Sequence, residues 1–174
     1  MKEPQPVERR QLKPGQVLFT FLHLAPDPGQ AKDLIASGAI AIAYETVTSE
    51  AGGLPLLAPM SAVAGRMATQ VAAHYLEKPQ GGRGVLISGA PGVAPANVLV
   101  LGAGTVGSNA AAVAAGMGAQ VTALSTLPEQ LQQLEQRLGS RVKTLLTSPA
   151  AIEAAICEAD AVVGAALVPG ALAP

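Results

Sequence analysis

The sequence predicts an α/β protein built around a parallel β-sheet, and three observations lead to this prediction. Beyond Asn97, short β-rich runs alternate regularly with helical patterns. Residues 84–127 contain no charged side chain, as expected for strands that helices cover on both faces. A glycine-rich segment, 102–107, joins one predicted strand to the helix after it. A doubly wound sheet with right-handed crossovers accounts for all three.

The composition narrows the classes of partner. Eleven Lys and Arg against twelve Asp and Glu give a net charge of −1, so the chain lacks the basic field that nucleic acid or an anionic membrane requires. A small neutral or zwitterionic partner fits this balance, and no set of metal ligands stands out. The single cysteine, Cys157, favours a cytoplasmic location, and we expect its thiol to be buried. Prolines and glycines interrupt the uncharged stretch, so we predict no membrane span.

The first part of the chain predicts a βαβ unit. A strand at 17–24 is followed by a short helix around 31–35, which Gly38 closes, and by a second strand at 39–47. If these strands are parallel, His23 and Glu45 lie on the same side of the sheet. We expect the next helix to run from an N-cap at Ser61 to Leu76.

The glycine-rich segment 78–84 is the strongest linker signal, and we place the change of domain between Met60 and Asn97. The predicted domains are 1–59 and 60–174. The second domain should contain helices at 105–117, 128–138 and 149–157 between strands at 98–101, 120–124, 141–146 and 160–166. A complete sheet of this kind has about six strands, so we expect this domain to be incomplete at its C-terminus.

Residues Gly102 to Gly107 match the pattern G-x-G-x-x-G. The pattern indicates dinucleotide binding because it follows a predicted strand and precedes a predicted helix. Gly102 permits a tight turn, Gly104 lets backbone N–H groups approach a diphosphate, and Gly107 lets the helix lie close to the strand. The pattern predicts a Rossmann-type dinucleotide site, formed by Gly102, Ala103, Gly104, Thr105, Val106 and Gly107.

The residue at the end of the next predicted strand bears on the choice of dinucleotide. An acid usually stands there and accepts hydrogen bonds from the adenosine ribose, but this chain has Ser125. A serine can bind a hydroxyl group but has no charge to repel a 2'-phosphate. No arginine lies within 126–130 to bind that phosphate, so these residues do not decide between NAD and NADP.

Several segments resemble alanine dehydrogenase in one uninterrupted order: KEP at 2–4, LHLA at 22–25, AYETV at 43–47, PMS at 59–61, AGRM at 64–67, GGRG at 81–84 and LVPG at 167–170. The resemblance covers essentially the whole chain. The N-terminal half of proton-translocating transhydrogenase shares the overall plan, but 44–66 and the VPG segment look closer to alanine dehydrogenase.

The resemblance implies an NAD-dependent oxidative deamination of L-alanine to pyruvate and ammonia. Residues 1–59 would then be part of the substrate domain, and 60–174 the NAD-binding Rossmann domain. Lys2 corresponds to the family's substrate-binding lysine, and His23 to its acid/base histidine, whose imidazole can exchange a proton near neutrality. Glu45 corresponds to a supporting residue. Further cofactor contacts are implied for Ser61, Ser125, Thr147, Ala166 and Leu167.

The chain also departs from the family pattern. An acid is usual where Ser125 stands, and the family's substrate-binding arginine and a catalytic aspartate have no counterpart in these residues. We therefore expect a fragment with little or no turnover, from a family whose full-length members are homo-oligomers. A catalytically silent nucleotide-binding fragment and a relative of the transhydrogenase α-subunit are the alternatives.

Overall fold

The computed structural model describes residues 2–50 and 52–166, and the chain divides into two compact units, Met1–Met60 and Ser61–Pro174. Each unit contains parallel strands joined by helical crossovers, as predicted for an α/β fold. Within the described residues, no helix combines the length and the apolar character that crossing a membrane requires.

The first unit is the predicted βαβ arrangement, and its two strands pair in parallel from Val17↔Ile40 to Thr20↔Ala43. The strands are shorter than the apolar runs suggested, because the chain leaves the ladder after Thr20 and turns into a 3₁₀ helix after Ala43. The elements are α1 (Pro6–Arg9), β1 (Val17–Thr20), α2 (Pro28–Ser37), β2 (Ile40–Ala43) and the 3₁₀ helix Tyr44–Thr46.

Both ends of α2 are defined by local chemistry. The Asp27 carboxylate accepts a hydrogen bond from the Gln30 backbone N–H at 2.9 Å and so caps the helix, and Pro28 occupies the first turn. Gly38 ends the helix in the left-handed conformation, with φ of 66°. The predicted closure at Gly38 is therefore confirmed.

The next helix, α3 (Ala58–Tyr75), begins before the predicted cap. The Ala58 N–H already donates to the Leu54 carbonyl at 2.9 Å, and Pro59 fits in the first turn because it needs no hydrogen-bond acceptor. The prediction that Ser61 caps the helix is wrong, since Ser61 lies inside it. A short 3₁₀ helix, Lys78–Gln80, follows α3 in the segment predicted as a linker.

The second unit is a four-stranded, all-parallel sheet in the order β5-β4-β3-β6. This order places the first strand of the unit in the middle of the sheet, which is the arrangement of a Rossmann half-sheet. The elements are β3 (Asn97–Leu101), α4 (Thr105–Gly116), β4 (Gln120–Ser125), α5 (Pro128–Leu138), a 3₁₀ helix (Gly139–Arg141), β5 (Val142–Leu146), α6 (Pro149–Glu158) and β6 (Ala161–Gly164).

The core of the second unit is built from small and branched side chains. Val98 and Val100 of β3 are buried, as are Ala110, Ala111 and Ala114 on the facing side of α4. Such small side chains allow the helix to lie close to the sheet, which suits a chain with only 2% aromatic residues. The expectation of a buried cysteine is wrong, because Cys157 is exposed on α6.

Candidate functional site

The carboxyl ends of the four parallel strands bring most of the predicted cofactor-binding residues to one edge of the sheet. Backbone hydrogen bonds fix this edge. Gly102 N–H donates to the Leu124 carbonyl at 2.7 Å, and Thr147 N–H donates to the Ser125 carbonyl at 3.0 Å. On the other side, Ala165 N–H donates to the Leu101 carbonyl at 2.8 Å, which places Ala166 just beyond the same edge. Ligands of open α/β sheets bind at this edge.

The segment 102–107, called the glycine turn below, is shaped by its first and last glycines. Gly102 has φ of +102°, and a Cβ atom there would lie 2.7 Å from the Ala165 carbonyl oxygen. A Cβ atom on Gly107 would lie 1.7 Å from the Gly102 carbonyl oxygen, so α4 can approach β3 only without that side chain. These two glycines are required by the packing of the protein itself.

The middle glycine of the turn is different. Gly104 has φ of −68°, an ordinary value for any residue, and a Cβ atom there would meet nothing closer than Gln130 Nε2 at 3.9 Å. Its missing side chain instead leaves open space in front of α4, whose N-cap makes no side-chain hydrogen bond. The first backbone N–H groups of a helix have no partner within it, so this space suits a diphosphate. The residues present therefore fit a dinucleotide.

The remaining predicted cofactor contacts occupy several positions. Ala103 is buried within the turn, and Thr105 is exposed at the start of α4, beside the partly buried Val106. Ser61 is partly buried in α3. Leu167 lies outside the described residues.

Ser125 ends β4 and is only 4% exposed. Its hydroxyl donates to Gln130 Oε1 at 2.9 Å and accepts the Leu127 backbone N–H at 3.1 Å. A hydroxyl group has one proton, so its donor is used within the protein. The sequence drew attention to Ser125 but not to Gln130, because the pattern of the family marks only the residue at the strand end.

In the first unit, the segment 21–27, called the His23 loop below, connects β1 to α2. Glu45 accepts the backbone N–H groups of Leu22 and His23, with distances of 3.0 and 2.7 Å to its Oε1 atom. On the other side, the buried Gln30 side chain donates to the Leu22 carbonyl. The loop backbone is therefore held from both sides by side chains that lie outside the loop.

His23 itself has φ of +49°, and within the described residues it alone has a positive φ without being a glycine. Histidine is among the residue types that tolerate this left-handed conformation, but it still costs energy. The contacts from Glu45 and Gln30 offset that cost. A strained residue that several contacts hold in place is typical of a functional position.

Opposing effects act on Glu45. Burial raises the pKa of its carboxyl group, while the N–H groups of His23 and Leu22 and its own backbone N–H lower it. The net result is a pKa below the ordinary value of 4.5. Glu45 is therefore a carboxylate near neutral pH, which is the form that accepts hydrogen bonds.

The N-terminal segment lies beside His23. Thr20 Oγ1 donates to the Lys2 carbonyl at 2.9 Å, and Glu3 Oε1 lies 3.3 Å from His23 Nδ1. Glu3 and His23 help to line an open cavity of ≈ 470 Å³. The structure thus brings Lys2 and His23, the two predicted catalytic residues, into one neighbourhood. Sequence reasoning missed Glu3 and Gln30, because nothing in the spacing indicates that Glu3 contacts His23, 20 residues away, or that Gln30 contacts Leu22, eight residues away.

Two family models match the chain. The model of the alanine dehydrogenase/PNT N-terminal domain matches residues 1–64, and that of the alanine dehydrogenase/PNT C-terminal domain matches residues 68–174. Together they span both compact units.

Individual relatives point the same way. The chain is 55% identical to an alanine dehydrogenase of Halomonas elongata and 51% identical to one of Bacillus subtilis, over all of this chain and over 47% and 46% of those proteins. A solved L-alanine dehydrogenase superposes with a TM-score of 0.88 at 50% identity, over 99% of this chain and 48% of its own. A transhydrogenase from Sinorhizobium meliloti superposes with a TM-score of 0.76 at 26% identity, over 99% of this chain and 50% of its own. The chain spans about half the length of the curated relatives it matches.

Proposed function

The chain belongs to the alanine dehydrogenase/PNT family, and from that premise we propose that it takes part in NAD-dependent oxidative deamination of L-alanine to pyruvate and ammonia. Its similarity to the dehydrogenases, which exceeds that to the transhydrogenase in both identity and superposition, supports this choice. A small-molecule substrate, a cytoplasmic location and a homo-oligomeric assembly belong to the same proposal. They rest on the family resemblance and on the balanced charge.

The observation that carries the proposal is the open face of the glycine turn. Gly104 has a conformation and surroundings that would admit a side chain, so packing within the protein does not explain a glycine there. A diphosphate held against the start of α4 does explain it. Bound NAD would supply the hydride acceptor, while the turn, Thr147 and Ala166 would hold it along the edge of the sheet.

On the substrate side, His23 is the proposed acid/base residue. With Glu3 at its Nδ1 atom, the imidazole keeps a proton on Nδ1 and leaves Nε2 as the atom that accepts a proton from the substrate. The His23 side chain is 61% exposed, so a substrate can reach the imidazole. Lys2 would attract the carboxylate or the developing oxygen of the substrate through its positive charge.

The first experiment is calorimetric titration of the purified chain with NAD. We expect saturable binding, and we expect Gly104→Ala to weaken it at least about tenfold, or about 1.4 kcal/mol, because the new methyl group enters the space of the diphosphate. The unfolding free energy should not fall, because the backbone at Gly104 suits alanine.

The matched control is Gly116→Ala, at the other end of α4, where a Cβ atom meets nothing within 4 Å. This variant should bind NAD like the native chain. If the native chain does not bind NAD, or if Gly104→Ala binds it equally well, the proposal is wrong. Cofactor binding is a sharper test than turnover, because the chain spans about half the length of its relatives.

A further inference from the structure

The residue that would bind the adenosine ribose is where the proposed cofactor site departs from the usual Rossmann pattern. In Rossmann domains an acidic residue at the end of the second strand accepts hydrogen bonds from the ribose hydroxyls. Here that position is Ser125, whose side chain is nearly fully buried. Its proton goes to Gln130 Oε1, and it also accepts the Leu127 N–H. The hydrogen bond of the Ser125 hydroxyl therefore orients the Gln130 side chain.

Gln130 lies in the first turn of α5 and is only partly buried. Because Ser125 Oγ donates to the Oε1 atom, the Nε2 atom lies at the opposite edge of the planar amide group, away from that hydrogen bond. There it lies 3.9 Å from the position of a Gly104 Cβ atom, on the open side of the glycine turn. Among the described residues, Nε2 donates a hydrogen bond to none. Two N–H donors thus face the space between the turn and the end of β4.

We propose that the Gln130 amide replaces the usual acid at the adenosine ribose, so that the site binds NADP as well as NAD. The proposal rests on the cofactor site proposed above. An acid accepts from a 2'-hydroxyl and repels a 2'-phosphate, whereas an amide N–H donates to the oxygen of either group. A hydrogen bond to the charged phosphate is the stronger of the two.

The charges around Ser125 and Gln130 support this proposal. Residues 84–128, which include the glycine turn and the end of β4, contain no carboxylate. The first acid after them, Glu129, is exposed in the first turn of α5, one residue before Gln130 and so rotated by about 100° around the helix. Nothing in the segment that faces Gln130 Nε2 therefore supplies the negative charge that excludes NADP in an NAD-specific site.

The experiment is calorimetric titration of the purified chain with NAD and with NADP, and with 5'-AMP and adenosine 2',5'-bisphosphate as fragments that isolate the ribose. We expect NADP to bind within about tenfold of NAD, a difference of at most about 1.4 kcal/mol. Two variants restore a negative charge. Gln130→Glu keeps an oxygen for the Ser125 hydroxyl, and Ser125→Asp places the acid at the strand end. Each should weaken NADP binding about 100-fold relative to NAD, because like charges then face each other.

The matched control is Gln132→Glu, which adds the same charge to α5 on an exposed face, about 200° around the helix from Gln130. Its ratio of NADP to NAD affinity should equal that of the native chain, and melting curves report whether each variant is folded. NAD binding with NADP more than about tenfold weaker overturns this inference and leaves the proposed function intact. An unchanged ratio in a folded Gln130→Glu variant also overturns it. If neither cofactor binds, both proposals are wrong.

Discussion

The glycine turn and the His23 loop both follow the carboxyl end of a parallel strand, but they are held by different kinds of contact. The turn is defined by backbone contacts, with a left-handed Gly102 beside the Ala165 carbonyl and Gly107 against the Gly102 carbonyl. The His23 loop is held by side chains from elsewhere in the first unit, chiefly Glu45 and Gln30.

This difference has a physical consequence. In the turn, backbone atoms contact other backbone atoms, and neither segment can move without displacing a strand or a helix. In the loop, flexible polar side chains satisfy backbone groups, and water can replace part of that interaction. We therefore expect substitutions in the turn to be costly and those around the loop to be milder and dependent on pH.

The largest effect is expected from Gly107→Ala. Its methyl carbon would lie 1.7 Å from the Gly102 carbonyl oxygen, so α4 and β3 must separate. We expect a loss of about 3 kcal/mol in the free energy of unfolding, measured by urea denaturation, together with a loss of NAD binding. Gly116→Ala in the same helix should be neutral or slightly stabilising. Equal stability of the two variants would contradict the packing role assigned to Gly107.

The same contrast explains what the sequence could predict. The glycine turn was predictable because the spacing of its glycines between a strand and a helix carries the geometry locally. Proline and glycine also mark helix ends, and α5 spans Pro128–Leu138 as predicted. The contact of Glu45 with the His23 backbone joins residues 22 positions apart, and its atoms meet only because β1 and β2 pair in one particular register.

The errors have related causes. An apolar run shows where a strand can form but not where the backbone leaves the ladder, so β1 was predicted to be too long. Ser61 has the chemistry of a cap, but α3 already begins upstream with Pro59 in its first turn. A lone cysteine is usually buried, but Cys157 falls on the exposed face of α6.

A smaller effect is expected from Glu45→Gln. The amide keeps one oxygen acceptor but lacks the charge that strengthens both hydrogen bonds to the His23 loop, so about 1 kcal/mol of stability should be lost near neutral pH. Amide hydrogen exchange at Leu22 and His23 should accelerate. Glu50→Gln, at an exposed glutamate of the same unit, is the control and should leave both amides unchanged.

The pH dependence of the Glu45 effect follows from the direction of its pKa shift. Because folding lowers the pKa, the stabilisation is fully present above the unfolded value of 4.5 and is lost as the pH falls through the folded value. The stability difference between the native chain and Glu45→Gln should therefore shrink as urea titrations move from about pH 7 to about pH 3. A difference that stays constant over this range would show that the carboxylate charge does not stabilise the loop.

The smallest effect is expected at the imidazole itself, with Glu3→Gln. A carboxylate at His23 Nδ1 favours the neutral tautomer that carries its proton there, because only that form donates to Glu3. A glutamine amide can donate as well as accept, so the preference should weaken, and ¹⁵N shifts of the imidazole measured above neutral pH should show more of the Nε2–H form. His74 provides an internal control, since its own acidic neighbour, Glu77, is unaltered. An unchanged His23 tautomer ratio would mean that Glu3 does not set which nitrogen accepts the substrate proton.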